Sequence, residues 1–238
     1  MAKVKTTTWE DHSAQLERLN AWISIDPSRT AVVTIDMHRG HLGGEDATMP
    51  VKPEIVEKVL APSEKFLRFA RDSGIPVIHA ILTWRPEEAY RFNPRVDAGR
   101  MTMSHQTPAT RALAEGTVHN LVGSIQCELM PELGPEPGDI IVDSKKTQSI
   151  YYGTELEVLL GTFLEIDTLI LMGINTNTCV QCAAFESLNR GLQVVVLEDC
   201  VGSMYGDDLH EAALQNIARC LGWVMTTDEV MARVQSGV

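Results

Sequence analysis

Six short apolar runs, separated by segments of helical period, set the strongest limit on how this chain can fold. Ala31-Val-Val-Thr-Ile-Asp36 is the first and Ile75-Pro-Val-Ile-His-Ala-Ile-Leu82 the second. Gly138-Asp-Ile-Ile-Val142, Asp167-Thr-Leu-Ile-Leu-Met172, Gln193-Val-Val-Val-Leu197 and Trp223-Val-Met-Thr226 follow. Each reads as a strand, and the second run, residues 75–82, is too apolar to have one face in water, so it is expected to be buried on both sides. Between them lie helical patterns: residues 54–72 up to Gly74, with Pro62 as a start or kink; Leu156, Leu159, Leu160, Phe163 and Leu164 after an N-cap at Thr154; and a helix begun near Asp207 that runs to Leu221. Strand and helix in alternation predict an α/β fold with a parallel sheet covered on both faces by right-handed crossovers.

One domain over residues 1–238 is expected, with two departures from the alternation. Residues 1–28 form an N-terminal arm, with a short helix carrying Trp9, Leu16, Leu19 and Trp22, laid on the body or on a partner subunit. Residues 83–138 lose periodicity and carry Trp84, Arg85, Arg91, Arg95, Arg100 and Arg111. Loops of that length tend to be lids or binding loops, and one of these arginines could grip a substrate carboxylate. A formal net charge of −12 argues against nucleic acid and anionic membrane surfaces as partners. No signal peptide or span of about 18 apolar residues is present. Cytoplasmic residence is the expectation, and the five cysteines, odd in number and irregularly spaced, suit reduced thiols.

In open parallel sheets ligands bind outside the carboxyl ends of the strands. Asp36 stands at such an end, Lys145 just beyond another, and Cys179 in the turn Gly173-Ile-Asn-Thr-Asn-Thr-Cys179 between the fourth strand and its helix. A cysteine at a helix start meets unpaired N–H groups and the positive end of the macrodipole, which favour the thiolate. Adjacent strands lie about 5 Å apart, so the three groups can share a pocket. Ordinary pKa values place aspartate about 4.6 units below cysteine, so moving the thiol proton to Asp36 is uphill by about 6 kcal/mol without help. Lys145 stabilises the thiolate, and partial burial of Asp36 raises its proton affinity. His79, in mid-strand, reads as a hydrogen-bonded core histidine.

Three motifs in order carry a resemblance: Ile35-Asp36-Met37 after a strand, Lys145 about nine residues before Gly153-Thr-Glu-Leu156, and Gly173-Ile174-x-Thr176-x-x-Cys179-Val180. Together they resemble the isochorismatase-like cysteine hydrolases, over residues 30–230. Within that superfamily the chain looks like the amidohydrolase branch, which includes N-carbamoylsarcosine, ureidoacrylate and biuret hydrolases. The resemblance implies a three-layer α/β/α sandwich on a mainly parallel six-stranded sheet and a triad of Asp36, Lys145 and Cys179. It also implies a non-proline cis peptide before Asn175, and an oxyanion hole from the N–H groups of Asn175 and Cys179. Lys146 competes for the lysine role, and the spacing to Thr154 favours Lys145. The reaction implied is hydrolysis of a small linear amide or ureide through a thioester, by a homo-oligomer without cofactor.

No metal is expected. Thr83-Trp84-Arg85-Pro86 stands where the nicotinamidase branch has a histidine-rich site, and His38 and His41 are two histidines in one flexible loop. His38 replaces a glutamine usual in the family, and Ser149-Ile-Tyr-Tyr152 replaces Ser-Ala-Phe, both at the pocket wall. Leu42, Trp84, Tyr151 and Asn175 are candidate substrate contacts by their positions after strands. Two other readings remain open. Cys179-Val-Gln-Cys182 is a C-x-x-C at a helix start, the pattern of a thiol-disulfide oxidoreductase, although Cys182 also reads as a small residue on the buried helix face. The chain could also be a non-catalytic scaffold of the same fold.

Overall fold

The computed structural model describes residues 8–88 and 118–237. Its centre is a six-stranded sheet with the order β3-β2-β1-β4-β5-β6 and every pairing parallel. The strands are β1 Thr30–Ile35, β2 Val77–Leu82, β3 Ile140–Lys145, β4 Thr168–Ile174, β5 Gln193–Gly202 and β6 Trp223–Met225. All six coincide with the apolar runs, β5 extending past Leu197. β1 and β4 are wholly buried along their length, as their lack of polar alternation predicts.

Because side chains alternate across a strand, the inner strands feed two cores, whereas the edge strand β3 feeds only one and leaves Ile141 exposed. Ala31, Val33, Ile78, Ala80, Leu169, Leu171, Val194 and Val196 point to one side, where they meet Leu156, Val180, Ala184, Leu214 and Ile217. Val32, Val77, Ile170, Met172, Val195 and Leu197 point to the other, against Val59, Phe66, Leu67, Ala70 and Val230. The first core is covered by α4 (Leu156–Val158, continued by a π-helical turn Leu159–Phe163), α5 (Gln181–Asn189) and α6 (Asp207–Asn216, continued by a π-helical turn Ile217–Leu221). The second is covered by α3 (Pro53–Asp72) and α7 (Thr227–Ser236). The result is the three-layer sandwich.

Local signals explain some helix ends. Pro53 occupies the first turn of α3, where a missing N–H costs nothing, and Pro62 lies inside the helix rather than starting it. Thr226 and Glu229 make a reciprocal capping box on α7. Glu155, not Thr154, is the residue preceding α4, yet the Thr154 hydroxyl still accepts the Leu156 N–H at 3.3 Å.

The arm lies on the body. Its helix α1 (Ser13–Asn20) buries no residue, but Ile23 and Ile25 enter the second core, and Trp223 Nε1 donates to the Leu19 carbonyl at 3.0 Å. Of the irregular segment, the described ends fold back over the strand ends. Trp84 N donates to the Asn120 carbonyl and Val122 N to the Trp84 carbonyl, each at 2.8 Å. Arg91, Arg95, Arg100 and Arg111 lie outside the described residues. Among the described residues no helix is long and apolar enough to cross a membrane.

Candidate active site

The order β3-β2-β1-β4-β5-β6 reverses direction between β1 and β4, and such a switch point leaves a crevice beyond the strand ends. The residues flanking that crevice are Asp36, just after β1, and the turn after β4. Asp36 has a positive φ of 53°, which swings its side chain out of the strand path. Gly173 sits so close to β1 that an added Cβ would lie 2.1 Å from the Ile35 carbonyl oxygen, so only glycine lets β4 approach there. The peptide bond between Ile174 and Asn175 is cis. Cys179 follows in a π-helical turn, Thr176–Val180, that runs directly into α5.

Lys145 comes from two strands away. A regular strand would place it opposite Val142, but the register with β2 shifts, Ala80 pairing with Val142 and Leu82 with Lys145. One extra residue in β3 therefore turns Lys145 to the buried side, as bulges do when they re-aim a side chain. Its Nζ donates to Asp36 Oδ2 at 2.6 Å and to Cys179 Sγ at 3.6 Å. The other carboxylate oxygen of Asp36 accepts the Leu82 N–H at 2.9 Å. Lys146 points elsewhere, its Nζ bonded to the Thr83 carbonyl at 2.9 Å and paired with Glu88 at 2.9 Å. Of the two lysines it is Lys145 that contacts Asp36 and Cys179.

Charge at the triad is balanced by pairing. Burial alone would push the Asp36 carboxyl up, but the Lys145 ammonium outweighs it and holds the carboxyl below its usual range. Burial works against the Lys145 ammonium, and Asp36 with Cys179 more than offsets it, so the lysine stays charged. Burial pushes the Cys179 thiol up to about 12, with Lys145 opposing and Asp36 reinforcing the rise. The direction is opposite to the thiolate preference expected from a helix start, because burial of the sulfur outweighs the nearby ammonium. Asp36 and Cys179 are joined through Lys145, whose Nζ contacts both side chains.

The candidate substrate contacts fare unequally. Leu42 is buried in the second core with Met37, Val51 and Val59. Tyr151 is likewise packed: its hydroxyl bonds Ser187 Oγ at 2.8 Å, and Arg190 stacks 4.0 Å from its ring centre. The carboxamide oxygen of Asn175 accepts the Met204 N–H at 2.8 Å and ties the turn to the chain after β5. Trp84 is half-buried, and its backbone organises residues 120–122. Loops after strands were the only signal for these residues, and here the loops are themselves roofed by other chain.

Cys182 is half-buried rather than on the buried helix face, with Sγ directed to Glu186 Oε2 at 3.8 Å. Burial and Glu186 push its thiol up to about 11. Both cysteines of the C-x-x-C are free, and burial raises both thiols. His79 is as read, bonded to Thr34 Oγ1 at 2.7 Å and Asp139 Oδ2 at 3.2 Å.

One group had no signal in the sequence beyond residue type. His119 and Asn120 fold back so that His119 joins His38 and His41, all three buried, with one ring nitrogen of each within 4.8 Å of the others. His38 Nε2 lies 3.9 Å from Asp36 Oδ1, which sets this cluster against the triad. The premise that His38 and His41 sit in a flexible loop is corrected: they flank and occupy a short buried helix, α2 (Arg39–Leu42).

Comparison with known proteins agrees with this architecture. The chain is 30% identical over 218 residues to the ureidoacrylate amidohydrolase RutB of Methylorubrum extorquens, covering 85% of this chain and 81% of that one. It is 27% identical over 210 residues to the maleamate amidohydrolase of Pseudomonas putida, covering 87% of each. The crystal structure of a cysteine hydrolase from Pseudomonas syringae pv. phaseolicola superposes with a TM-score of 0.75 at 25% identity, over 91% of this chain and 97% of that one. The isochorismatase domain model matches residues 30–229, a span that holds all three strand ends of the triad, and the chain belongs to the isochorismatase family.

Proposed function

We propose that this protein is a cysteine-dependent amidohydrolase that cleaves the C–N bond of a small linear amide or ureide through a thioester on Cys179. The observation that carries this reading is that one buried ammonium, Lys145 Nζ, contacts both Asp36 Oδ2 at 2.6 Å and Cys179 Sγ at 3.6 Å. That arrangement joins a base, a nucleophile and the charge that holds them in register. Amide chemistry is supported by the named activities of the amidohydrolase relatives.

In this mechanism Cys179 attacks the substrate carbonyl carbon as its thiol proton passes to Asp36. The backbone N–H groups of Asn175 and Cys179 receive the developing oxyanion. Asp36 then gives the proton to the departing nitrogen, the C–N bond breaks, and ammonia or an amine leaves a thioester behind. A water molecule loses a proton to Asp36 and attacks the thioester, the carbon–sulfur bond breaks, and the proton returns to sulfur as the acid departs. Lys145 remains an ammonium throughout. It lowers the cost of a thiolate that the buried site alone disfavours. Assembly as a homo-oligomer and residence in the cytoplasm belong to the same reading.

The test is ammonia release from a panel of carbamoylated amino acids, ureidoacrylate-like acids, maleamate-like acids and biuret. Wild type should turn over at least one class, and Cys179→Ala should lower that rate by about four orders of magnitude or more while keeping the wild-type melting profile. Release at an undiminished rate by Cys179→Ala rules the reading out.

A further inference from the structure

The His38, His41 and His119 cluster is not used by the chemistry above, and its construction is not that of ordinary packing. Ring centres are 4.9 Å apart for His38 and His41, 5.3 Å for His41 and His119, and 6.0 Å for His38 and His119. The turn after α2 anchors two of the rings. His41 Nδ1 donates to the Met49 carbonyl at 2.7 Å, which leaves the lone pair on Nε2, and His119 Nδ1 bonds the Thr48 hydroxyl. That turn is itself tied to α2 by Met49 N to the Gly40 carbonyl at 3.0 Å and Val51 N to the His41 carbonyl at 3.1 Å. A second-sphere carbonyl or hydroxyl that orients an imidazole is the usual support of a metal-bound histidine.

His38 is held from the other side. Asn120 Nδ2 lies 2.7 Å from His38 Nε2 and 2.9 Å from the Leu82 carbonyl. Gly40 permits this approach, since a Cβ there would lie 2.3 Å from Asn120 Oδ1 and 2.9 Å from the His38 ring. Yet His38 Nδ1 and Asn120 Oδ1 are buried with no hydrogen-bond partner among the described residues. Buried polar atoms are costly when unpartnered. His79, equally enclosed, has both ring nitrogens bonded.

We propose that His38, His41 and His119 form a binding site for a divalent first-row transition ion of the zinc type, set beside Asp36. Imidazole donors select zinc, cobalt, nickel or copper over magnesium and calcium, which want oxygen. Zinc–nitrogen bonds of about 2.0–2.1 Å place tetrahedral ligand atoms about 3.3 Å apart. Ring nitrogens now within 4.8 Å reach that spacing by side-chain rotation. All three rings are buried, and a dry site favours the uncharged imidazole that a metal requires. Because the ligands carry no charge, the ion keeps its double positive charge, and the Asp36 carboxylate beside His38 offsets it. The proposal does not depend on the amide-hydrolysis reading.

The test uses full-length protein stripped with chelator, titrated with Co²⁺ under visible spectroscopy and with Zn²⁺ under thermal unfolding, followed by metal analysis after desalting. The wild type should take up about one ion per chain, show the d–d absorption of nitrogen-ligated Co²⁺ without a sulfur charge-transfer band, and melt at a higher temperature with Zn²⁺. His41→Gln and His119→Gln should bind Co²⁺ at least about 100-fold more weakly. Cys179→Ala should bind it as the wild type does. Absence of both uptake and thermal shift in the wild type overturns the proposal. So does binding that survives both histidine substitutions, or binding lost in Cys179→Ala with a thiolate band in the wild type. Should either histidine variant fail to fold, the wild-type stoichiometry and the absence of the sulfur band still decide.

Discussion

The triad and the histidine cluster are neighbours under the same roof of chain, equally removed from water, and they meet burial by opposite means. At the triad, charge is kept and compensated: Asp36 accepts from Lys145 at 2.6 Å and from the Leu82 N–H at 2.9 Å, and Lys145 also reaches Cys179. At the cluster, charge is given up. Burial drives the His38 ring down to about 3 and lowers that of His41, so these two rings are neutral, and His38 Nδ1 is left without a partner among the described residues. A paired charge can be held in a dry site only while both partners stay. A neutral donor set is cheaper to bury and open to a ligand from outside.

That contrast is broken or sharpened most strongly by removing one charge of the pair. Lys145→Met strands a buried carboxylate, and Asp36→Asn strands a buried ammonium; each should lower the unfolding free energy by about 3–5 kcal/mol in denaturant titration. Asp36→Asn should also lower amide turnover about 10³-fold or more, because it removes the proton acceptor. Stability close to wild type in either variant would mean that the pair is not what keeps these groups buried. The cluster should respond less. In metal-free protein, His41→Gln removes one neutral bond to the Met49 carbonyl and should cost about 1 kcal/mol by the same titration. A cost as large as that of Lys145→Met would erase the distinction between the two regions.

Two substitutions beside the triad mark its edge. Lys146→Ala, one residue from Lys145, breaks a partly exposed pair with Glu88 and should change stability by less than about 1 kcal/mol. Cys182→Ala should leave turnover unchanged in the ammonia assay; a large loss would revive the dithiol reading. The smallest effect concerns His79, the buried histidine with both nitrogens bonded. Burial, opposed by Asp139 and aided by Arg71, holds its pKa below the ordinary 6.5, so the unfolded chain binds the proton first. The stability this gives is complete above pH 6.5 and lost as pH falls below it, and His79→Gln should make that decline shallower in a series of denaturation curves.

What could be read from the chain beforehand follows the range of the interactions. Asp36 and Cys179 were legible because each follows an apolar run at a turn, and position at a strand end is local information. Lys145 was separable from Lys146 only by resemblance, since the bulge in β3 that turns it inward depends on pairing with β2. That Leu42 and Tyr151 are buried could not be read, because nothing local to them reveals what covers a loop. His119 lies 78 positions beyond His41, in a stretch without periodicity, so its arrival beside His38 is a purely tertiary event. Cys182 shows the converse: a compact motif with a known meaning, which its surroundings do not support.

The most direct measurement of the central claim is hydroxylamine partitioning on whichever amide of the panel is turned over. A thioester on Cys179 predicts that hydroxylamine diverts product from the acid to the hydroxamate in proportion to its concentration, with ammonia release not slowed, and that Cys179→Ala forms neither product. Turnover that yields acid alone at every hydroxylamine concentration, together with activity retained by Cys179→Ala, would contradict it.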